Sequence, residues 1–294
     1  MYARAMADKV LATITSYNPD IELLEKNIDA VIPQADKVIV YENNSNNREA
    51  VIALCEKKDV TLVLNDKNYG VAGPLHDGAE YACENGYKYI LTLDQDSVCS
   101  DGMVAALTEL FETDEALVTV AASPVMTVNG ETVDNVEQNK YVKDVITSGS
   151  LSDAQKIKEI GGYMPEMFID WVDTEICFRA GNSGYKILAS TVPFIHTFGE
   201  PERRRILWKR CIVTNYSPFR CYYISRNSAF CAKVYGGELA KRRKRYLRKL
   251  KIKIILYEKN KREKLKALKK GKKDAKAFYK QMIDKYRFLT EIRR

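Results

Sequence analysis

Short apolar runs recur along the first 120 residues, at positions 10–15, 37–41, 60–65, 89–94 and 117–122. Each is too short for a good helix and rich in Val, Ile, Leu or Tyr, the composition of a strand buried on both faces. Between them the apolar residues fall three and four apart, as in Ile21, Leu24, Ile28 and Ile32, and segments 48–57, 70–85 and 102–112 behave alike. Strand starts 23 to 29 residues apart, each gap holding a helix, predict βαβ units and a mainly parallel sheet. Right-handed crossovers then place helices on both faces.

Beyond this the pattern weakens, and residues 124–143 carry no assignable period. Ser148-Gly149-Ser150 reads as a loop, and residues 154–160 as a short helix ended by Gly161 and Gly162. Residues 168–179 pass from an extended start into a helix closed by Gly181 and Gly184, and 185–188 form a further strand. From Glu238 the composition turns helical and strongly basic. The expected organisation is an α/β domain over residues 7–235 and a basic helical region over 236–294.

Composition narrows the class. With 294 residues, 46% hydrophobic and 29% charged, and with only 15 Gly and 8 Pro, the chain is neither collagen-like nor wholly disordered. No apolar run approaches the ~20 residues that cross a bilayer, and the first eight residues lack the apolar core of a secretory signal. Seven cysteines without a C-x-x-C pair suggest reduced thiols and a cytoplasmic setting. The net charge of +8 is uneven. Residues 241–294 hold 24 Lys/Arg against 5 Asp/Glu, leaving 23 basic and 34 acidic groups in the other 240. An acidic body with a basic tail points to an anionic surface as partner for the tail.

In parallel α/β sheets, ligands sit beyond the carboxyl ends of the strands. The four segments there are polar: Thr15-Ser-Tyr17-Asn-Pro19, Glu42-Asn43-Asn-Ser-Asn46, Asp66-Lys-Asn68-Tyr-Gly70-Val71-Ala-Gly73 and Asp94-Gln-Asp96-Ser97. Two like charges one residue apart at a strand tip repel, and a divalent cation relieves that repulsion. Mg2+ or Mn2+ accepts one or two carboxylates, with phosphate oxygens and waters completing its shell. A solvated acidic turn is the plainer alternative, but placement after the fourth strand favours the cation. In Asp170-Trp171-Val-Asp173, the second carboxylate falls at a helix start, as cap, as general base, or as both. His196 is either a hydrogen-bonded structural residue or a third cation ligand, whereas His76 lacks suitable neighbours and reads as structural. Arg203-Arg-Arg205 can neutralise a diphosphate. Arg220 and Arg226, flanking Tyr222 and Tyr223, suit either helix packing or an acceptor site.

Taken in order, these motifs resemble the family 2 inverting glycosyltransferases of the GT-A, Rossmann-like fold, bacterial rhamnosyltransferases in particular. The matches are Thr-Ser-Tyr-Asn-Pro (15–19), Glu-Asn-Asn-Ser (42–45), Asn-Tyr-Gly-Val-Ala (68–72), Asp-Gln-Asp-Ser (94–97), Phe-Ile-Asp-Trp-Val-Asp-Thr-Glu (168–175), His196 and Tyr-Tyr-Ile-Ser-Arg-Asn (222–227). The resemblance implies that Thr15, Tyr17, Glu42 and Asn43 hold the nucleoside, although the family more often has Asp in place of Glu42. It implies that Asn68, Gly70 and Val71 line the nucleotide and that Asp94 faces the sugar or ribose. Asp96, with His196, would bind Mn2+ or Mg2+ through the diphosphate, and Asp173 would be the catalytic base. Asp170, Trp171, Arg203, Arg220 and Arg226 are candidates for the acceptor or a phosphate.

The implied reaction moves a sugar, with dTDP-L-rhamnose favoured over a UDP-sugar, onto a glycan or polyprenyl-diphosphate-linked acceptor in cell-surface polysaccharide synthesis. The basic tail, which mixes Lys/Arg with apolar residues, suits an anionic membrane surface and a peripheral place on the inner face of the cell membrane. Two other classes compete. A haloacid dehalogenase-type phosphatase also uses Asp-x-Asp after a strand, but on the first strand of its sheet, whereas three strand-helix units precede it here. A nucleic-acid-binding protein explains the tail and leaves the four polar loops idle.

Overall fold

The structure is a computed structural model that describes residues 8–128, 131–133, 137–196, 202–206 and 209–290. It divides into two compact units, Met1–Glu166 with Ile176–Thr197, and Met167–Glu175 with Phe198–Arg294.

The first unit follows the predicted alternation: β1 (Val10–Ser16), α1 (Ile21–Val31), β2 (Lys37–Glu42), α2 (Arg48–Lys58), β3 (Thr61–Leu64), α3 (Ala72–Glu84), β4 (Tyr89–Asp94), β5 (Ser97–Cys99), α4 (Met103–Phe111) and β6 (Leu117–Val128). The carboxylate of Asp20 caps α1 by accepting from the Leu23 amide at 3.1 Å. Leu24, Ile28 and Val31 on that helix are buried with Ile14, Val40 and Leu91 of the strands, as the three-and-four spacing requires.

Past β6 come β7 (Glu131–Val133), β8 (Lys140–Val142), β9 (Ser150–Asp153), α5 (Ala154–Glu159), α6 (Val172–Asn182) and β10 (Lys186–His196). The sheet runs β3-β2-β1-β4-β9-β6-β10-β5. Pairs β2-β3, β1-β2, β1-β4 and β6-β10 are parallel, while β9 is antiparallel to both of its neighbours. The mainly parallel sheet is therefore mixed at its centre. Ser150-Leu-Ser-Asp153 escaped the hydrophobic pattern because only Leu151 is apolar. Its serines are buried with bonds satisfied, Ser152 Oγ lying 2.9 Å from Thr119 Oγ1 and Ser150 Oγ donating to Ile146 O at 2.6 Å. The six cysteines whose side chains are described form no disulfide.

The second unit holds the hairpin β11 (Glu202–Ile206) and β12 (Lys209–Val213), then α7 (Pro218–Tyr235), α8 (Gly237–Tyr257) and α9 (Lys261–Lys285). The sequence boundary at 235/236 thus falls inside one compact unit. The reason is packing: Gly271 of α9 lets its backbone approach Tyr222 O of α7, and Phe230 and Phe278 meet edge to face at 5.4 Å. Leu247, Leu250 and Ile254 of α8 join Cys221, Ile224 and Leu268 in one buried cluster. At the α8–α9 turn, Lys264 Nζ lies 2.7 Å from Glu258 Oε2, both nearly inaccessible. Among the described residues no helix is long and apolar enough to cross a membrane.

Candidate active site

The sheet register sets the site. Ser16 lies beside Glu42, Thr15 beside Asp94 and Glu42 beside Leu64, so β1 to β4 end at one edge. The polar segments that follow bind one another there. Tyr17 N donates to Gln95 Oε1 at 2.7 Å, Asn18 N to Ser45 Oγ at 2.8 Å and Asn46 N to Asn18 Oδ1 at 2.7 Å. Tyr17 itself is 45% exposed.

Glu42 and Asn43 are buried and committed to the protein. The Glu42 carboxylate accepts from the Asn44 and Ser45 amides at 3.1 and 2.5 Å and from Arg48 Nε at 2.6 Å. Burial pushes that carboxyl up, but the bonds from Ser45 and Arg48 outweigh it and hold the group below its ordinary range. Arg48 also donates to Asn65 O. Asn43 Nδ2 donates to Gly70 O and Asn43 Oδ1 accepts from Asn65 Nδ2, both at 2.8 Å, while Asn68 Oδ1 accepts from Gly70 N at 2.7 Å. Through these bonds Glu42, Asn43 and Asn68 pin the second and third loops together.

Asp94, Asp96 and His196 offer ligand atoms that all lie within 4.8 Å of one another. His196 arrives from 100 residues downstream because β10 runs antiparallel to β5, with His196 opposite Ser97. Its Nδ1 lies 2.7 Å from Ser97 Oγ and 3.8 Å from Asp96 Oδ1. Burial holds the imidazole down at about 4, so at neutral pH the ring is uncharged and the Asp96 contact is no ion pair. Burial pushes the Asp96 carboxyl up, and a divalent cation offsets such desolvation. A neutral imidazole beside two carboxylates is a donor set that fits a divalent cation, with phosphate oxygens completing the shell. Ser97 Oγ and Ser148 Oγ are 2.6 Å apart, Ser148 Oγ accepts from Asp94 N at 2.9 Å, and Asn27 Nδ2 donates to Asp94 O at 2.8 Å.

In the second unit, the run before Asp173 is unusual. Phe168, Asp170 and Trp171 have φ of 64°, 63° and 67°, a left-handed conformation that costs an L-residue about 1–2 kcal/mol. Asp170 accepts from Arg220 Nε and from a terminal guanidinium nitrogen at 3.1 Å. Burial pushes the Asp170 carboxyl up and the guanidinium offsets part of that rise. Trp171 meets Tyr246 edge to face at 6.4 Å and lies under Arg242 at 5.7 Å. Asp173 sits in the first turn of α6, with Oδ1 accepting from Thr174 N at 2.8 Å. Arg226 stacks on Phe278 at 3.9 Å and on Tyr223 at 4.6 Å and donates to Met167 O at 3.2 Å. Arg203 pairs with Ile212 in the hairpin, and its side chain lies outside the described residues.

Residues 12–166, just over half the chain, match the family model described as glycosyl transferase family 2. The chain belongs to that family. It is 26% identical over 245 residues to dTDP-rhamnosyl transferase RfbF of Shigella flexneri, covering 76% of this chain and 79% of the relative. Among solved structures, GalNAc-T7 with UDP, GalNAc and Mn2+ aligns at TM-score 0.58 and 14% identity, over 79% of this chain and 49% of that one. The mannosyltransferase PcManGT from Pyrobaculum calidifontis in complex with GDP-Man and Mn2+ aligns at TM-score 0.56 and 13% identity, over 90% and 72%. This chain thus spans about half the length of the GalNAc-T7 chain, and at such identities the likeness establishes the GT-A fold.

For this glycosyltransferase, sequence reasoning found the carboxylates and missed their supports. Ser148, Asn27, Gln95 and Arg48 act through bonds to residues from 6 to 78 positions away, and no local pattern marks them. His76 Nδ1 lies 3.0 Å from Tyr163 O, in keeping with a structural role.

Proposed function

We propose that this glycosyltransferase moves L-rhamnose from dTDP-L-rhamnose to a hydroxyl of a glycan or polyprenyl-diphosphate-linked acceptor, with inversion, in cell-surface polysaccharide synthesis. The observation that carries the donor is the 26% identity with a dTDP-rhamnosyl transferase across 79% of that protein. Asp94, Asp96 and His196 would hold Mn2+ or Mg2+, whose charge stabilises a departing diphosphate. Thr15, Tyr17, Asn68, Gly70 and Val71 receive the nucleotide, and Glu42 and Asn43 fix the loops that do so. Asp94 orients the sugar or ribose. Asp173 takes the proton of the attacking hydroxyl as the anomeric carbon gains oxocarbenium character, on the face opposite the leaving group, which gives inversion. Trp171 and Arg203 are assigned to the acceptor.

Residues 236–294 attach the enzyme to the anionic inner face of the cell membrane. Ile252, Ile255 and Leu256 on α8 are 39%, 54% and 50% exposed, and Arg248, Lys249, Lys251 and Lys259 beside them are exposed too. Each cation that reaches an anionic leaflet contributes ~1 kcal/mol, and the apolar side chains enter the interface.

A panel of dTDP-L-rhamnose, UDP-sugars and GDP-mannose with Mn2+ or Mg2+ tests the donor, by nucleoside diphosphate release and thermal-shift binding. Turnover of a UDP- or GDP-sugar with dTDP-L-rhamnose inert would overturn it. Co-sedimentation with phosphatidylglycerol vesicles tests the attachment. Pelleting that is unchanged in Ile255→Glu/Leu256→Glu and insensitive to salt would refute it.

A further inference from the structure

We infer that helix α7 is the positioning element for Asp173, acting through Asn227, Arg220 and Tyr235; this rests on Asp173 being the base. The run from Met167 to Trp171 contains no glycine, yet three of its residues hold positive φ. L-residues keep that conformation only where their surroundings over-determine it. Helix α7 supplies the hydrogen bonds here, and Tyr246 and Arg242 of α8 lie against Trp171. Asn227, fully buried, places Nδ2 at 2.7, 2.8 and 2.9 Å from the carbonyl oxygens of Met167, Ile169 and Asp170. Two amide protons are thereby shared among three carbonyls. Arg226 Nε donates to Asn227 Oδ1 at 2.9 Å, which fixes the end of the amide that faces the loop.

On either side of Asn227 the same helix makes two further bonds. Arg220 grips the Asp170 carboxylate, and Tyr235 Oη donates to Glu175 Oε1 at 2.5 Å. Positions 220, 227 and 235 are spaced by seven and eight, about two turns each, so they share a face. The strained run before Asp173 and the residue two places after it are both tied to α7. An unstrained loop would need no such clamp, and a clamp on the run that aims a carboxylate sets where that carboxylate stands. Arg220 and Arg226, which suited either helix packing or an acceptor site in the sequence, both bond within this structure.

The test uses the full chain, dTDP-L-rhamnose and Mn2+, reading thymidine diphosphate release to water, which stands in for the acceptor hydroxyl. Asp173→Asn is the benchmark. Asn227→Ala is expected to lower kcat about 10- to 100-fold, the scale of a misplaced catalytic group, with donor KM and thymidine diphosphate affinity within about twofold. Asn227→Asp, which turns an acceptor toward three carbonyls, should lose more. Because hydroxide can replace a misaimed base, the deficit should shrink as pH rises; loss of fold would not behave so. Tyr235→Phe, which removes a single hydroxyl, should lose about 3- to 10-fold in kcat at unchanged KM, and it decides the matter if the Asn227 variants do not fold. Wild-type kcat in folded Asn227→Ala, or in Tyr235→Phe, beside an inactive Asp173→Asn overturns the clamp and leaves the base standing. Full activity in Asp173→Asn removes the base itself.

Discussion

Replacing Gly271 by Ala should destabilise the protein, although the same change in a helix is ordinarily favourable. Gly271 lies inside α9, where Ala exceeds Gly by about 1 kcal/mol in helix propensity. Opposing this, a Cβ there would press on Tyr222 O and lie 3.1 Å from both Arg226 N and Ser225 Cβ. A carbonyl within helix α7 cannot yield by itself, so the helices must part. Overpacking of this kind costs about 1–3 kcal/mol. Parting also strains the buried bond from Ser225 Oγ to Leu268 O, 2.7 Å long, for about 1 kcal/mol more. The steric side wins, with a net loss of about 1–3 kcal/mol. Gly181 is the control: it lies in α6 with nothing within 4 Å of a built Cβ, and Gly181→Ala should gain about 0.5–1 kcal/mol. Urea denaturation of both variants reads the two signs. A Gly271→Ala protein as stable as wild type, or more so, would refute the argument that the α7–α9 approach is limited by backbone.

Ser148→Ala should weaken Mn2+ binding about 10- to 100-fold, the range for removing a group that supports a ligand, since Ser148 Oγ holds both Asp94 N and Ser97 Oγ. Calorimetry with Mn2+ and thymidine diphosphate measures it, and unchanged affinity would show that the serine pair does not set the carboxylates. Asp114 gives a pH prediction. Lys186, then the Ala116 amide and the Tyr141 hydroxyl, hold its carboxyl at about 2 against an ordinary 3.8. A depressed native pKa adds stability that is complete above the ordinary value and is lost as pH falls toward 2. The deficit of Asp114→Asn in urea midpoint should therefore be full at pH 7 and smaller at pH 3; a deficit that grows on acidification contradicts it.

The chain's own pattern determined the strand-helix alternation of the first 120 residues, because burying a parallel strand on both faces demands an apolar run, and covering it demands a helix with one apolar stripe. It also marked Asp94, Asp96 and Asp173, since carboxylates at a strand tip and a helix start stand out against apolar neighbours. Pattern could not find β9, whose buried serines are stable only through partners such as Thr119 and Ile146. Nor could it foresee the internal bonds of Glu42, Asn43 and Arg220, because a buried polar side chain and an exposed one look alike until its partner is placed. Tertiary structure alone decided that His196 reaches the carboxylate pair, through an antiparallel pairing with Ser97, and that α7 holds the run before Asp173. Both depend on hydrogen bonds between residues 50 to 99 positions apart, and a bond of that span leaves no periodic trace along the chain.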